Sequence, residues 1–467
     1  MDELKYQDLL EKITEVSRQN AKIICRETQK LLINEDLNMY FEKDLPKHVL
    51  KGTFGYDEFL PLQEKVINSI LSGKDTIAIM PTGGGKSLCY QIPGLIFEGM
   101  TIVVSPLIAL MQDQISVLKK LKVKAEYLSS SMSSSEYLKA YRNVLKGKVK
   151  ILYLSPEALN SQRIYTLIRS SDVHLDCIAI DEAHCISEWG NDFRPDYLEI
   201  ANFRKEFPEA VCLALTATAT KTVQNDISRK LKMKNPDIFV TSFNRPNLYI
   251  EVRNKIEPFE QILSYIQSHK GESGIIYCSS RKKVDDLTEK LNKSKIKALS
   301  YHAGLDDKTR TQNQEDFLHD KVQIMVATIA FGMGINKSNI RFVIHYDIPK
   351  SLEQYYQEIG RAGRDGKKAS ALLLFNQRDI TIRRKLLESE YNATKALNLF
   401  SHMINFCLTE GCRRKLLLNY FGENQLLYQN RNCCCDNCKN KNALNHTYNS
   451  AVKYNSRHVD DLYKFSS

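Results

Sequence analysis

The feature that most restricts the fold of this chain is a rhythm. Five short apolar runs, Thr76–Met80, Thr101–Val104, Lys150–Leu154, Leu175–Ile180 and Val211–Leu215, are separated by amphipathic stretches of helix length. A second series follows at Gly274–Tyr277, Lys297–Tyr301, Gln323–Ala327, Arg341–His345 and Ala369–Phe375. Runs this short and this continuously apolar suit strands covered on both faces, and their alternation with helices makes the sheets parallel. The expected class is α/β: two tandem doubly wound parallel-sheet domains over residues 51–245 and 246–376, parting near Asn244–Pro246. Residues 1–50 read as a helical extension. The strands stop after Gln377, where a charged helical region, Arg378–Tyr420, leads into clustered cysteines and forms a module over 377–440. The Asn/Lys/Ser-rich stretch 441–467 reads as a flexible tail, and Ser129–Ser135 as a polar loop.

The first run leads into TIAIMPTGGGKS, Thr76–Ser87. A strand ending in a glycine-rich turn that opens a helix is the setting of a phosphate-cradling loop. Thr82, Gly83, Gly84 and Gly85 let backbone N–H groups face phosphate oxygens. Lys86 would reach the β/γ-phosphates, and the Ser87 hydroxyl would hold Mg²⁺. Met80 stands where such loops usually carry their first glycine.

A second signal is IDEAHCISEWGNDFRPDY, Ile180–Tyr197. Asp181 and Glu182 directly follow a buried strand. Asp181 can hold Mg²⁺ through water, and Glu182 can orient and deprotonate an attacking water. A few residues on stand Trp189, the chain's single tryptophan, then Phe193 and Arg194. Aromatic faces interleaved with a guanidinium suit stacking on unpaired bases. In the second series, QEIGRAGRDG places Arg361 and Arg364 at i, i+3 on a short helix or turn. Supplied across a cleft, they would face the charge that develops on a transferring phosphoryl group and make hydrolysis depend on domain closure.

The formal net charge is +11, compatible with a polyphosphate partner. No apolar run approaches the ~18 residues of a membrane span, and the charged N-terminus has no signal-peptide core, so an intracellular protein is expected. Twelve cysteines without a secretory signal point to reduced thiols or metal ligation. The pair Cys435-x-x-Cys438 can chelate one ion, and four thiolates suit tetrahedral zinc. Cys25, Cys89, Cys177, Cys212, Cys278 and Cys407 read as core residues, and Cys185 as a loop residue.

Assembled in order, these segments resemble the RecQ family of superfamily 2 DNA helicases, from about Phe54 to Cys438. The resemblance is carried by FGYDEFLPLQ (54–63), MPTGGGKS, SPLIALMQDQ (105–114), YLSPE (153–157), DEAH (181–184) and LTATAT (215–220). SFNRPNL (242–248), IIYCSSR (275–281), YHAGL (301–305), VATIAFGMGI (326–335) and QEIGRAGRDG (357–366) continue it. It implies RecA-like lobes, with Tyr56 stacking on adenine, Gln63 hydrogen-bonding it, and ATP, Mg²⁺ and Zn²⁺ as cofactors. It implies 3′-to-5′ movement along single-stranded DNA, unwinding of duplex DNA, and roles in repair, recombination or replication. Trp189, Phe193 and Arg194 would sense DNA, while Thr216 and Thr218 relay nucleotide state. It names Cys412, Cys435 and Cys438 as zinc ligands, with Cys433 or Cys434 as the fourth. A monomer is expected, in cytoplasm or nucleoid if bacterial and in the nucleus if eukaryotic.

Four places depart from the family pattern. Leu60 replaces an arginine, Asn191 a histidine, Asn336 and Ser338 an Asp and a Pro, and too few residues follow Cys438 for winged-helix and HRDC modules. Two other readings stay open: a DNA-stimulated ATPase that anneals or remodels strands without unwinding, and an RNA-directed DExH helicase.

Overall fold

The computed structural model describes residues 44–129, 131–189, 192–332, 337–390, 392–423 and 434–444. The residues 1–43 and 445–467, with Cys433, Asn191 and Asn336, lie outside them. The chain forms two compact units, one ending at Ser242 and the other beginning at Phe243.

The first unit holds strands β1 Thr76–Ile79, β2 Met100–Val104, β3 Ala125–Leu128, β4 Ile151–Leu154, β5 Leu175–Ile180, β6 Val211–Thr216 and β7 Asp237–Val240. They form a parallel sheet in the order β3-β4-β2-β5-β6-β1-β7. The central strands β1, β2 and β4 are buried at every position. One core layer packs Val66, Tyr90, Met111, Ile115 and Leu118 of the covering helices against Ala78, Val103, Tyr153 and Leu213 of the sheet. Residue burial on this scale contributes ~1.5–3 kcal/mol for each large apolar side chain.

The second unit contains β8 Leu248–Asn254, β9 Ser273–Tyr277, β10 Ala298–Tyr301, β11 Ile324–Ala327, β12 Ile340–His345 and β13 Ala369–Phe375. Its order is β10-β11-β9-β12-β13-β8, again parallel throughout. Gly274 is required by packing: a Cβ there would stand 2.1 Å from the Phe342 ring. Helices Gln377–Glu388, Ala393–Leu408 and Arg413–Tyr420 complete this unit, joined by helix Asp436–Leu444. Among the described residues no helix is long and apolar enough to cross a membrane.

The ten strands read from the sequence are present with ends shifted by a residue at most; three others are not in that reading. All three, β3, β7 and β8, are edge strands. An edge strand keeps one side toward solvent, and β7 alternates half-buried with exposed residues instead of forming an apolar run. The polar loop expected at Ser129–Ser135 needs correction. Ser134 and Ser135 begin the helix Ser134–Leu145, because Ser133 and Glu136 form a reciprocal capping box at its start.

Candidate nucleotide and nucleic-acid site

β6 lies between β1 and β5, so the carboxyl ends of these three strands are adjacent. Ligands of open parallel sheets bind beyond such ends. Three segments emerge there: the glycine-rich loop after β1, Thr216–Thr220 at the end of β6, and Asp181–Tyr197 after β5.

The loop begins where the Met80 N–H donates to the Thr216 carbonyl at 3.0 Å. Gly83 and Gly85 adopt φ of +86° and +70°, a region that side chains rarely enter. Lys86 Nζ donates to the Met80 carbonyl at 3.2 Å, folding the lysine over the loop. Ser87 precedes helix Leu88–Ile96 and spends no hydroxyl bond on capping it. The helix start brings its positive dipole end to this loop, the setting in which anions are held. Thr82 is half-buried beside them.

Gln63, expected to hydrogen-bond adenine, is tied into the segment before the glycine loop. It is 1% exposed, its Oε1 accepts from the Leu60 N–H at 2.8 Å, and its Nε2 donates to the Gly85 carbonyl at 3.0 Å. Both ends of the amide therefore fasten the glycine loop to the preceding segment. Tyr56 is exposed, as stacking on a base requires.

Asp181 extends the ladder by one bond, its N–H donating to the Val104 carbonyl at 2.8 Å. Burial, reinforced by Glu182, pushes its carboxyl up to about 6, and nearby Lys86 opposes the rise. Glu182 sits at φ +49°, a left-handed conformation that costs a non-glycine residue ~1–3 kcal/mol. That turn aims its carboxylate back at His184, whose Nδ1 lies 3.3 Å from Oε2. The same Nδ1 stands 2.8 Å from Thr216 Oγ1, and the Thr218 N–H donates to that hydroxyl at 3.3 Å. Glu182 thus lies in contact with a histidine that is itself bonded to Thr216, and Thr216 to Thr218.

The aromatic half of the segment closes back on the acidic half. Ala183–Ile186 forms a 3₁₀ turn, and the Arg194 N–H donates to the Cys185 carbonyl at 2.9 Å. Tyr197 Oη donates to the Asp181 carbonyl at 3.0 Å. Ser187 Oγ donates to buried Asp226 at 2.8 Å and accepts from the Trp189 N–H at 3.2 Å. The Trp189 ring stays 59% exposed on this fixed base. Lys230 lies 5.3 Å over the Phe193 ring, and Arg194 reaches the Pro106 carbonyl at 3.4 Å. Cys185, read from the sequence as a loop residue, is fully buried in the 3₁₀ turn. The roles of His184, Tyr197, Ser187 and Asp226 were absent from the sequence reading, because their partners lie 16 to 39 residues away.

In the second unit Arg361 and Arg364 occupy the turns after helix Leu352–Ile359. Arg361 is 6% exposed. Burial holds the Arg364 guanidinium well below its usual range, to about 9, with Arg361 and Arg245 adding repulsion. Arg245 shapes this turn by donating to the carbonyls of Gly360, Ala362 and Gly363 at 3.3, 2.8 and 3.0 Å.

The described cysteines gather Cys412, Cys434, Cys435 and Cys438, with all sulfurs within 4.8 Å of one another. Their nearest separations are 3.4 Å for Cys412–Cys434, 3.8 Å for Cys434–Cys438 and 3.5 Å for Cys435–Cys438. Thiolates on a tetrahedral zinc, each at ~2.3 Å, stand about 3.8 Å apart, so this set fits the ion. Burying Arg413 against Asp436, at 2.7 and 2.9 Å, locks the cluster to its helix. The Val252 N–H of edge strand β8 donates to Asp436, and Ile250 bridges to Cys435. The cluster therefore completes the open edge of the second sheet.

Comparison with known proteins matches these parts in order. The DEAD/DEAH box helicase family covers residues 60–226 and the helicase conserved C-terminal domain 254–366, which sets the class as a two-part helicase-type fold. RecQ zinc-binding covers 377–439. The chain belongs to the RecQ family of helicases. It is 45% identical over 406 residues to the ATP-dependent DNA helicase RecQ of Haemophilus influenzae, covering 86% of this chain and 64% of that relative. The Bacillus subtilis protein of the same name is 43% identical over 402 residues, covering 85% of this chain and 67% of its own length. The structure of the Mycobacterium smegmatis helicase Lhr, bound to single-stranded DNA and AMP-PNP, aligns with a TM-score of 0.57 at 19% identity, covering 76% of this chain and 48% of that one. That last likeness is one of fold. ATP, Mg²⁺ and Zn²⁺ are the cofactors of this family, and the phosphate loop and cysteine cluster are built for them.

Proposed function

We propose that the chain is an ATP-dependent 3′-to-5′ DNA helicase that moves along single-stranded DNA, opens duplex ahead of it, and serves repair, recombination or replication. The observation that carries this reading is the run of contacts from Asp181 and Glu182 through His184 to Thr216, with the exposed Trp189 on the same segment. Phosphate-loop residues Thr82–Ser87 bind the nucleotide's phosphates, Tyr56 stacks on its base and Gln63 hydrogen-bonds it while also holding the loop. Asp181 and Ser87 hold Mg²⁺, which neutralises charge on the phosphates. Glu182 orients the attacking water, and Arg361 and Arg364 supply the cations that phosphoryl transfer requires. Trp189, Phe193 and Arg194 contact unpaired bases, and Thr216 with Thr218 passes the nucleotide state onward. Cys412, Cys434, Cys435 and Cys438 hold zinc, which fixes the helical module over 377–440. The domains run 51–245 and 246–376, and the protein acts as an intracellular monomer. Strand displacement from a 3′-tailed duplex with ATP and Mg²⁺ tests the reading. Displacement absent from the wild type while DNA still stimulates ATPase would leave a strand-annealing or remodelling ATPase; stimulation by RNA alone would make it RNA-directed.

A further inference from the structure

The Cys185 backbone carbonyl closes the loop onto Arg194, but its thiol has no part in the path just described and lies beside it. Its sulfur lies 3.9 Å from His184 Nε2 and 3.9 Å from Asp192 Oδ2, and the three ligand atoms all lie within 4.8 Å of one another. Sulfur, imidazole and carboxylate on zinc stand about 3.6 Å apart, so the two contacts made by the sulfur lie within a few tenths of an ångström of that spacing and the third pair within 4.8 Å. The imidazole is already oriented for this. Its Nδ1 is engaged by Glu182 Oε2 at 3.3 Å and Thr216 Oγ1 at 2.8 Å, which turns Nε2 toward the sulfur. A carboxylate behind a histidine, with the far nitrogen aimed at a ligand cluster, is the outer-shell arrangement of zinc sites.

We propose that Cys185, His184 and Asp192 form a second transition-metal site, for a zinc-like divalent ion, separate from the four-cysteine cluster. Cys185 gives up its thiol proton to solvent as the ion binds, and water fills the fourth position. The ion has a definite mechanical consequence. Asp192 Oδ2 is also the atom that Arg194 Nη2 approaches at 3.5 Å. An ion that draws this carboxylate toward Cys185 takes it from Arg194, while His184 is held on the metal. Zinc at this site therefore uncouples nucleic acid from hydrolysis. That consequence rests on the function proposed above, whereas the binding itself does not.

The test is equilibrium dialysis against free Zn²⁺, in a reductant that does not bind metal, of protein whose four-cysteine cluster is already loaded. Wild type is expected to take up a second equivalent per chain, and Cys185→Ala to stop at one. Asp192→Ala, at a side chain 40% exposed and so carrying little folding burden, is expected to weaken the second equivalent at least tenfold. Wild type saturating at one, or either variant retaining the second equivalent at wild-type affinity, overturns the site. In a parallel assay the second equivalent is expected to abolish stimulation of ATPase by single-stranded DNA. Binding without that loss would keep the site and overturn the uncoupling role.

Discussion

His184 Nδ1 lies 2.8 Å from Thr216 Oγ1, both groups buried, so the ends of β5 and β6 are tied by a side-chain bond. The two strands are neighbours in the sheet, but their backbones alone would let each loop respond to ligand separately. Under the proposed function, this bond is what couples their responses. Glu182 touches the histidine from one side, and the Thr218 N–H donates to the threonine from the other. Under the proposed function, a shift of the acid pair on nucleotide binding is expected to pass to Thr216–Thr218 and, through the loop closed by the Arg194 N–H on the Cys185 carbonyl, to Trp189.

The phosphate loop depends on Gly85 for two separate reasons. Its φ of +70° suits glycine, and an added Cβ would stand 2.2 Å from Gln63 Nε2. Gly85→Ala is expected to displace Gln63, break its bonds to Leu60 and Gly85, and lower affinity for ATP at least tenfold. Gln63→Ala leaves the Leu60 N–H and Gly85 carbonyl without those partners, at about 1–3 kcal/mol. Nucleotide titration and denaturant unfolding measure the two effects; wild-type affinity in Gly85→Ala would contradict the latch.

Cys434 belongs to the sulfur cluster in the structure, whereas Cys433 lies outside the described residues. Cys434→Ser is therefore expected to lose zinc and destabilise the second unit, while Cys433→Ser keeps about one zinc per chain. Metal analysis after gel filtration decides between them. Retention of zinc by Cys434→Ser with loss in Cys433→Ser would reverse the assignment.

The second unit also has a predictable acid limit. Burial disfavours the Asp347 charge, but Lys255 at 3.1 Å, Lys283 at 2.7 Å and the Ser279 N–H at 2.9 Å outweigh it, holding the carboxyl well below its usual range. A depressed carboxylate contributes stability that is fully present above the unfolded value of ~3.9 and lost as pH falls below it. Denaturant midpoints for the second unit should fall below about pH 4 in the wild type, and this slope should flatten in Asp347→Asn. An unchanged slope in that variant would place the acid sensitivity elsewhere.

What could be read in advance follows the range of the interactions. Central strands declare themselves as apolar runs, and the phosphate loop and acid pair as short motifs at strand ends. Edge strand β7, Asp237–Val240, could not be read that way, because a half-solvated strand lacks the run. Tyr197 on Asp181, Ser187 on Asp226, Arg245 on the turn of Arg361, and Arg413 on Asp436 also escaped. Each joins residues that only the folded chain brings together. Gln63 shows the complementary limit: its motif marks a functional segment, but only the fold reveals that the amide is committed to Leu60 and Gly85.

The central claim is that Trp189 and the Asp181–Glu182 pair act as one lever. The most direct measurement is the ratio of ATPase with single-stranded DNA to ATPase without it, compared between wild type and Trp189→Ala. Because the ring is exposed and its backbone N–H keeps its Ser187 bond, the substitution should bring that ratio down toward one. A fall in both rates together, leaving the ratio at its wild-type value, would contradict the lever and make Trp189 a structural residue.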